Sequence, residues 1–153
     1  MARLAKVGKQ DILDAGYEYE SSLNPVWLPG RYNNFSAPLK PFRETCGLWQ
    51  IPVSALPVIR FPLFWLSFKN LPLPLYLPMA KAAMSATGFF NMYSHPWEYH
   101  ERAAEPKWTI PGYIVRHAGE SQCSRLRRLI ASLGRSGTFE TFSTYLDRLQ
   151  TKQ

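Results

Sequence analysis

Gly88-Phe89-Phe90-Asn91-Met92-Tyr93-Ser94-His95-Pro96-Trp97-Glu98 reads as a short apolar strand that runs straight into His-Pro-Trp-Glu. Phe90, Met92 and Ser94 would share one face and Phe89, Asn91 and Tyr93 the other, because side chains alternate along a strand. Pro96 has no N–H to give a ladder, so the strand stops there. His95 is thus expected at a strand end, where barrel and open α/β enzymes carry their chemistry. Fixed by the stiff bond to Pro96 and walled by Trp97, it is a candidate proton donor near neutral pH. The competing reading is a histidine that only closes a strand.

Upstream, Gln10 to Ala15 has the look of a helix tail, with Gly16 as the residue that ends it. Tyr17-Glu18-Tyr19-Glu20-Ser21-Ser22 then alternates aromatic and polar in strand fashion. Asn24 to Pro41 is a loop rich in Pro, Gly, Asn and aromatics, and a loop this long inside a domain is usually functional. Leu48 to Ser54 reads as a further strand, at an edge because Pro52 interrupts it. Downstream, Tyr99 to Pro111 is polar and irregular, with Trp108 and Pro111 as packing points. Ser121 to Leu133 spaces Leu126, Leu129, Ile130 and Leu133 as an amphipathic helix stopped by Gly134. Gly137 to Phe142 is expected as a last short strand and Ser143 to Leu149 as a final helix. Helices alternating with short strands make this an α/β chain.

At 153 residues the chain suits one domain, and it is short of the roughly 250 residues of a common α/β barrel. A hydrophobic share of 46% with 14% aromatics argues for a packed core and against disorder. The net charge of +7 suits an anionic partner. Its basic residues concentrate in the first ten positions and between Arg125 and Arg135, without the interleaved aromatics of a nucleic-acid groove, so nucleic acid is disfavoured. The segment 57–80 is the most apolar. Pro62, Pro72, Pro74 and Pro78 would break a spanning helix, and Arg60, Lys69 and Asn70 would sit at membrane depth, so a buried or lid-like insertion is preferred to a transmembrane span. No Asp or Glu stands between Cys46 and Trp97, while Arg60, Lys69 and Lys81 do, and this leaves a basic aromatic face on a membrane surface as an alternative. The N-terminus is charged without an apolar stretch of signal length, which points to the cytoplasm, with peripheral membrane contact as the variant. Cys46 and Cys123 fit no metal or redox spacing and read as reduced thiols, their pairing left open.

A self-sufficient active site is hard to assemble. His95 and His100 fall on opposite faces of a strand with Pro96 between them, and His117 lies in a distant loop, so no metal set forms within the chain. No Gly-x-Ser-x-Gly elbow, phosphate loop or dinucleotide fingerprint is present. Glu18, Glu20 and Glu98 offer carboxylates, but the spacing selects no pair.

Gly16-Tyr17-Glu18-Tyr19-Glu20-Ser21-Ser22, Asn24-Pro25 and Gly30-Arg31-Tyr32, taken together with Tyr93-Ser94-His95-Pro96-Trp97-Glu98, form a pattern. In these motifs the chain resembles the C-terminal part of the bacterial polysaccharide deacetylases, metal-dependent carbohydrate esterases with a distorted (β/α) barrel. The likeness runs from about Asp11 to Leu149 and includes Phe61-Pro62-Leu63-Phe64-Trp65 and Phe139-Glu140-Thr141-Phe142-Ser143-Thr144-Tyr145-Leu146. It implies hydrolysis of acetyl groups on a polysaccharide, with His95 matching the late-strand histidine that protonates the leaving group. It also implies that Tyr93 and Trp97 wall the sugar pocket, with Arg31, Tyr32 and Trp27 in a loop that meets substrate. The family's Asp base and Asp-His-His metal set would precede Asp11, where only the basic segment 1–10 stands, and Glu20 replaces a more usual Asp. The resemblance therefore implies a basic segment over 1–10 and, over 11–150, the C-terminal portion of a barrel, incomplete as a single chain. A zinc-like divalent metal would belong to the complete domain and none to this chain. Polysaccharide and a missing N-terminal half are the partners implied. A non-catalytic carbohydrate- or membrane-surface-binding module using Trp27, Tyr32, Trp65 and Trp97 is the alternative.

Overall fold

The first helix, α1 (Lys9–Asp14), shows how the sequence sets its own boundaries. Gly16 adopts φ +87°, and around it the Tyr17 N–H donates to the Ile12 carbonyl and the Gly16 N–H to the Leu13 carbonyl. This double closure satisfies the last carbonyls of the helix and needs a residue free to be left-handed. The structure is a computed structural model that describes residues 8–101 and 111–151. Among the described residues it holds six α-helices, a 3-10 turn and a small three-stranded sheet, a mixed α/β architecture.

The sheet is built on β1 (Tyr19–Glu20), β4 (Phe42–Arg43) and β5 (Trp49–Gln50), in the order β1-β5-β4. β1 and β5 are parallel, Tyr19 opposite Trp49, and β4 runs antiparallel to β5. Hydrogen bonds from the N–H groups of Trp49, Ile51 and Val53 to the carbonyls of Glu18, Glu20 and Leu23 extend the parallel pairing beyond the short strands. The segment 48–54 is therefore central, not an edge, and Leu48, Ile51 and Val53 are buried. The connection between β1 and β5 carries a hairpin of β2 (Trp27–Leu28) and β3 (Tyr32–Asn33) in place of a crossover helix.

The expected strand 88–94 is extended chain beside 52–54, without a regular ladder. The Ser54 N–H donates to the Asn91 carbonyl (2.9 Å), and the remaining bonds run through side chains: Asn91 N–H to Ser54 Oγ (2.9 Å) and Asn91 Nδ2 to the Pro52 carbonyl (3.1 Å). Pro52 removes one backbone donor from the neighbouring segment, and the buried Asn91 amide supplies bonds in its place.

Two helices occupy much of the segment 57–80: α2 (Trp65–Asn70) and α3 (Leu73–Thr87). Prolines were expected to break such a helix repeatedly. Pro72 and Pro74 instead sit at its entry, where N–H groups lack intrahelical partners anyway. Pro78 lies inside, four residues after Pro74, so a single i→i−4 bond is lost. With α5 (Glu120–Leu133), α2 and α3 form the main core, which contains Leu63, Phe68, Leu73, Tyr76, Ala80, Ala83, Leu129 and Leu133. The fully buried alanines at 80 and 83 let α3 and α5 approach closely. No helix among the described residues is long and apolar enough to cross a membrane.

A second cluster joins Trp49, Ile51 and Leu146, sealing α6 (Phe142–Gln150) against the sheet. The strand expected over Gly137–Phe142 does not form. Thr141 caps α6, accepting a bond from the Thr144 N–H (3.2 Å), and Phe142 opens the helix and meets Tyr19 edge-on at 5.7 Å. The short α4 (Gly112–Val115) precedes α5. Of the irregular stretch Tyr99–Pro111, the part that includes Trp108 lies outside the described residues, as do Met1–Val7 of the basic segment.

Candidate functional site

His-Pro-Trp-Glu folds locally into a 3-10 turn over Pro96–Tyr99, with His95 as its N-cap. Pro96 suits the first position, since its missing N–H would have had no partner. The Glu98 N–H donates to the His95 carbonyl, and Glu98 Oε1 accepts from the His95 backbone N–H at 2.8 Å. The first is the turn's own main-chain bond and the second is a side-chain cap on the His95 N–H, which folds the Glu98 carboxylate back over its own turn. The same Oε1 lies 2.9 Å from His95 Nδ1. An ionised carboxylate can only accept, and with Glu98 in that form the ring proton sits on Nδ1 and Nε2 is left for proton exchange.

Three aromatic rings surround the imidazole. Trp65 of α2 meets it edge-on at 5.1 Å, Tyr93 edge-on at 5.8 Å, and Trp97 stacks on it at 5.8 Å with an interplanar angle of 23°. The His95 side chain keeps 41% of its surface exposed, whereas Glu98 beneath it is fully buried. Glu98 Oε2 faces Lys69 Nζ and Gln122 Nε2, each at 3.5 Å. Lys69, also fully buried, donates to the Ile114 carbonyl at 3.0 Å and lies 4.7 Å from the centre of the Trp97 ring. Burial pushes the Lys69 ammonium below its ordinary pKa, and the adjacent Glu98 opposes that shift. Tyr99 donates to Ser94 Oγ at 2.8 Å, and its phenol is pushed up chiefly by burial.

Tyr93 also borders a cleft of about 420 Å³ lined by Ser21, Ser22, Asn24, Arg31, Asn34 and Val53. A lining that combines hydroxyl, amide and guanidinium groups with an aromatic ring is a surface suited to a polyol with an apolar face. The structure thus brings His95, Tyr93 and Trp97 together and places Arg31 in the lining of the cleft that Tyr93 borders. Tyr32 stands in β3 opposite Leu28. Trp27, 60% exposed on the hairpin, is absent among the described residues from both the cleft lining and the ring contacts around His95.

Sequence reading overlooked Glu98, Lys69 and Gln122 as parts of this site. The signal for Glu98 was present: a polar residue, proline, and an acid three positions on is the signature of a capped turn. Lys69 is visible, with Arg60, as a cation in an apolar run that reads as a buried or lid-like insertion, but the sequence assigns it no partner. Nothing local marks Gln122. Glu18 and Glu20 lie elsewhere, Glu20 pairing with Lys9 beside β1. Cys46 and Cys123 are both free thiols.

Among the described residues no three His, Cys, Asp or Glu side chains come together as a metal site. His95 Nδ1 is engaged by Glu98, and His117, in a left-handed conformation with φ +58°, lies near Ser121 Oγ. His117 is held below the usual imidazole range by burial and then by Arg125, Arg116 and Lys69. These donors do not fit a resident divalent ion. Comparison with protein-family models, with curated proteins and with solved structures gives no match for this chain.

Proposed function

We propose that this chain serves in polysaccharide deacetylation, as the C-terminal portion of a deacetylase-type barrel, and that His95 is its general acid. In the reaction a water adds to the acetyl carbonyl, the bond to the sugar nitrogen or oxygen breaks, and acetate leaves. The departing amine or alcohol takes its proton from His95 Nε2. The observation that carries this reading is the His95–Glu98 pair: an imidazole with its tautomer fixed by a buried carboxylate, half-exposed among three aromatic rings, beside a polar cleft. A fixed partner at Nδ1 orients the ring and leaves Nε2 as the nitrogen that faces a leaving group, which is what a positioned proton donor needs. Tyr93 and Trp97 supply the aromatic faces on which sugar rings rest, and Arg31 a charged donor in the cleft lining.

Activation of the water is assigned to an N-terminal deacetylase half, because the described residues hold no set for it. The full chain mixed with such a half is expected to release acetate from acetylated oligosaccharides, and alone to release none. In the active mixture His95→Ala should lower turnover by roughly 10²–10⁴, the usual contribution of general acid–base catalysis. Unchanged turnover would remove His95 from the chemistry. Tryptophan fluorescence that responds to glycans in a mixture with no acetate release would favour the binding-module reading instead.

A further inference from the structure

We propose that Lys69 is a positioning residue for His95, acting through Glu98: its ammonium keeps the buried carboxylate ionised, so that Glu98 accepts from Nδ1–H and proton exchange is confined to Nε2. This rests on the reading of His95 as a proton donor.

Lys69 and Glu98 are both fully buried, one from α2 and the other from the 3-10 turn, and their charged groups approach to 3.5 Å. A lone ion so buried costs several kcal/mol, so each charge depends on the other. Glu98 divides its oxygens: Oε1 takes the two His95 donors, and Oε2 faces Lys69 and the Gln122 amide. Gln122 is neutral, which leaves Lys69 as the cation on that oxygen. The other basic groups nearby are committed elsewhere. Arg125 of α5 donates to the Phe68 and Leu71 carbonyls, and His117 is held towards its neutral form. Tyr99, adjacent to Glu98 in the turn, directs its hydroxyl to Ser94. Lys69 also contacts the Trp97 ring that stacks on His95, so carboxylate and ring wall are both registered against one ammonium.

Without that ammonium a carboxyl at this depth takes up a proton. It then becomes a donor towards Nδ1, and the neutral imidazole must carry its proton on Nε2. A purely space-filling Lys69 predicts no such change, and this difference makes the idea testable independently of turnover.

The measurement is long-range ¹⁵N–¹H correlation of His95 in the full chain, recorded at a pH where the spectrum itself shows a ring with a single proton. The wild-type protein and Lys69→Arg are expected to show the Nδ1–H tautomer, and Lys69→Met a switch to Nε2–H. Retention of Nδ1–H in a folded Lys69→Met protein overturns the proposal, as does a wild-type ring already in the Nε2–H form. Should Lys69→Met fail to fold by circular dichroism, the wild-type Lys69 ¹⁵Nζ signal at pH 7 decides: an ammonium supports the proposal and a neutral amine overturns it. Acetate release judges the deacetylase reading separately, so either can fail while the other stands.

Discussion

Tyr76 illustrates how a single residue links packing to pH. Its ring is fully buried in the main core against Phe68 at 5.1 Å, and its hydroxyl donates to the Leu63 carbonyl at 3.1 Å. Burial pushes the phenol well above its ordinary value of 10.0, with Arg125 opposing weakly. The folded state keeps its proton where the unfolded chain loses it. The native state then binds more protons than the unfolded one, and stability falls as pH rises. The contribution is complete below pH 10 and declines above it by up to about 1.4 kcal/mol per pH unit. Tyr76→Phe should cost about 1 kcal/mol at pH 8 through the lost hydrogen bond. By pH 11 its deficit should shrink or reverse, as urea melts at the two pH values will measure; a constant deficit would show that Tyr76 does not titrate with folding. Using the difference between the proteins removes the parallel contributions of Tyr99 and Tyr145, which burial also shifts upwards.

Among the elements, α6 shows most directly a boundary set by chemistry and a position set by packing. Thr141 Oγ1 caps it, Phe142 and Leu146 turn towards the sheet, and Tyr145 stacks on Phe89 at 5.9 Å. Removing the cap with Thr141→Ala is expected to cost about 1 kcal/mol, readable as a lower denaturant midpoint with an unchanged slope. Thr141→Ser should recover most of it, and if both variants melt alike the cap is not the cause. Sequence reading placed a strand across this boundary because Phe139, Thr141 and Phe142 favour strands in isolation. A capping threonine outweighs that preference once Leu146 has a core to enter. The helices α1 and α5 were legible from glycine stops and 3.6-residue spacing, whereas α3 was obscured by its own prolines and the short α2 by those that flank it, Pro62 and Pro72. Those prolines are tolerated because of where they fall in the helix, and that position is clear only once the helix start is known.

For the whole molecule, the two apolar clusters divide the work: one packs α2, α3 and α5 together, the other fastens α6 to the sheet. Arg125 ties the first together by donating from α5 to the carbonyls of Phe68 (2.5 Å) and Leu71 (2.6 Å) at the end of α2. Those carbonyls face the end of a short helix and have few alternatives. Arg125→Met should therefore destabilise the chain by about 3 kcal/mol in guanidinium unfolding, since bonds to charged donors are among the stronger ones. A loss under 0.5 kcal/mol would mean that solvent replaces the guanidinium without cost.

By itself the sequence determined what is local: the glycine that closes α1, the amphipathic face of α5, the extended runs at 17–22 and 48–54, and a histidine placed where Pro96 ends an extended run. These follow from backbone sterics, side-chain periodicity and capping, which act within a few residues. Only the tertiary structure decided that 48–54 is central, that the apolar prolines build a helical core, and that Lys69 and Gln122 meet Glu98 beneath His95. Those outcomes depend on which buried charges and apolar faces find one another across long stretches of chain. Burial makes such pairings strong, and sequence spacing does not record them.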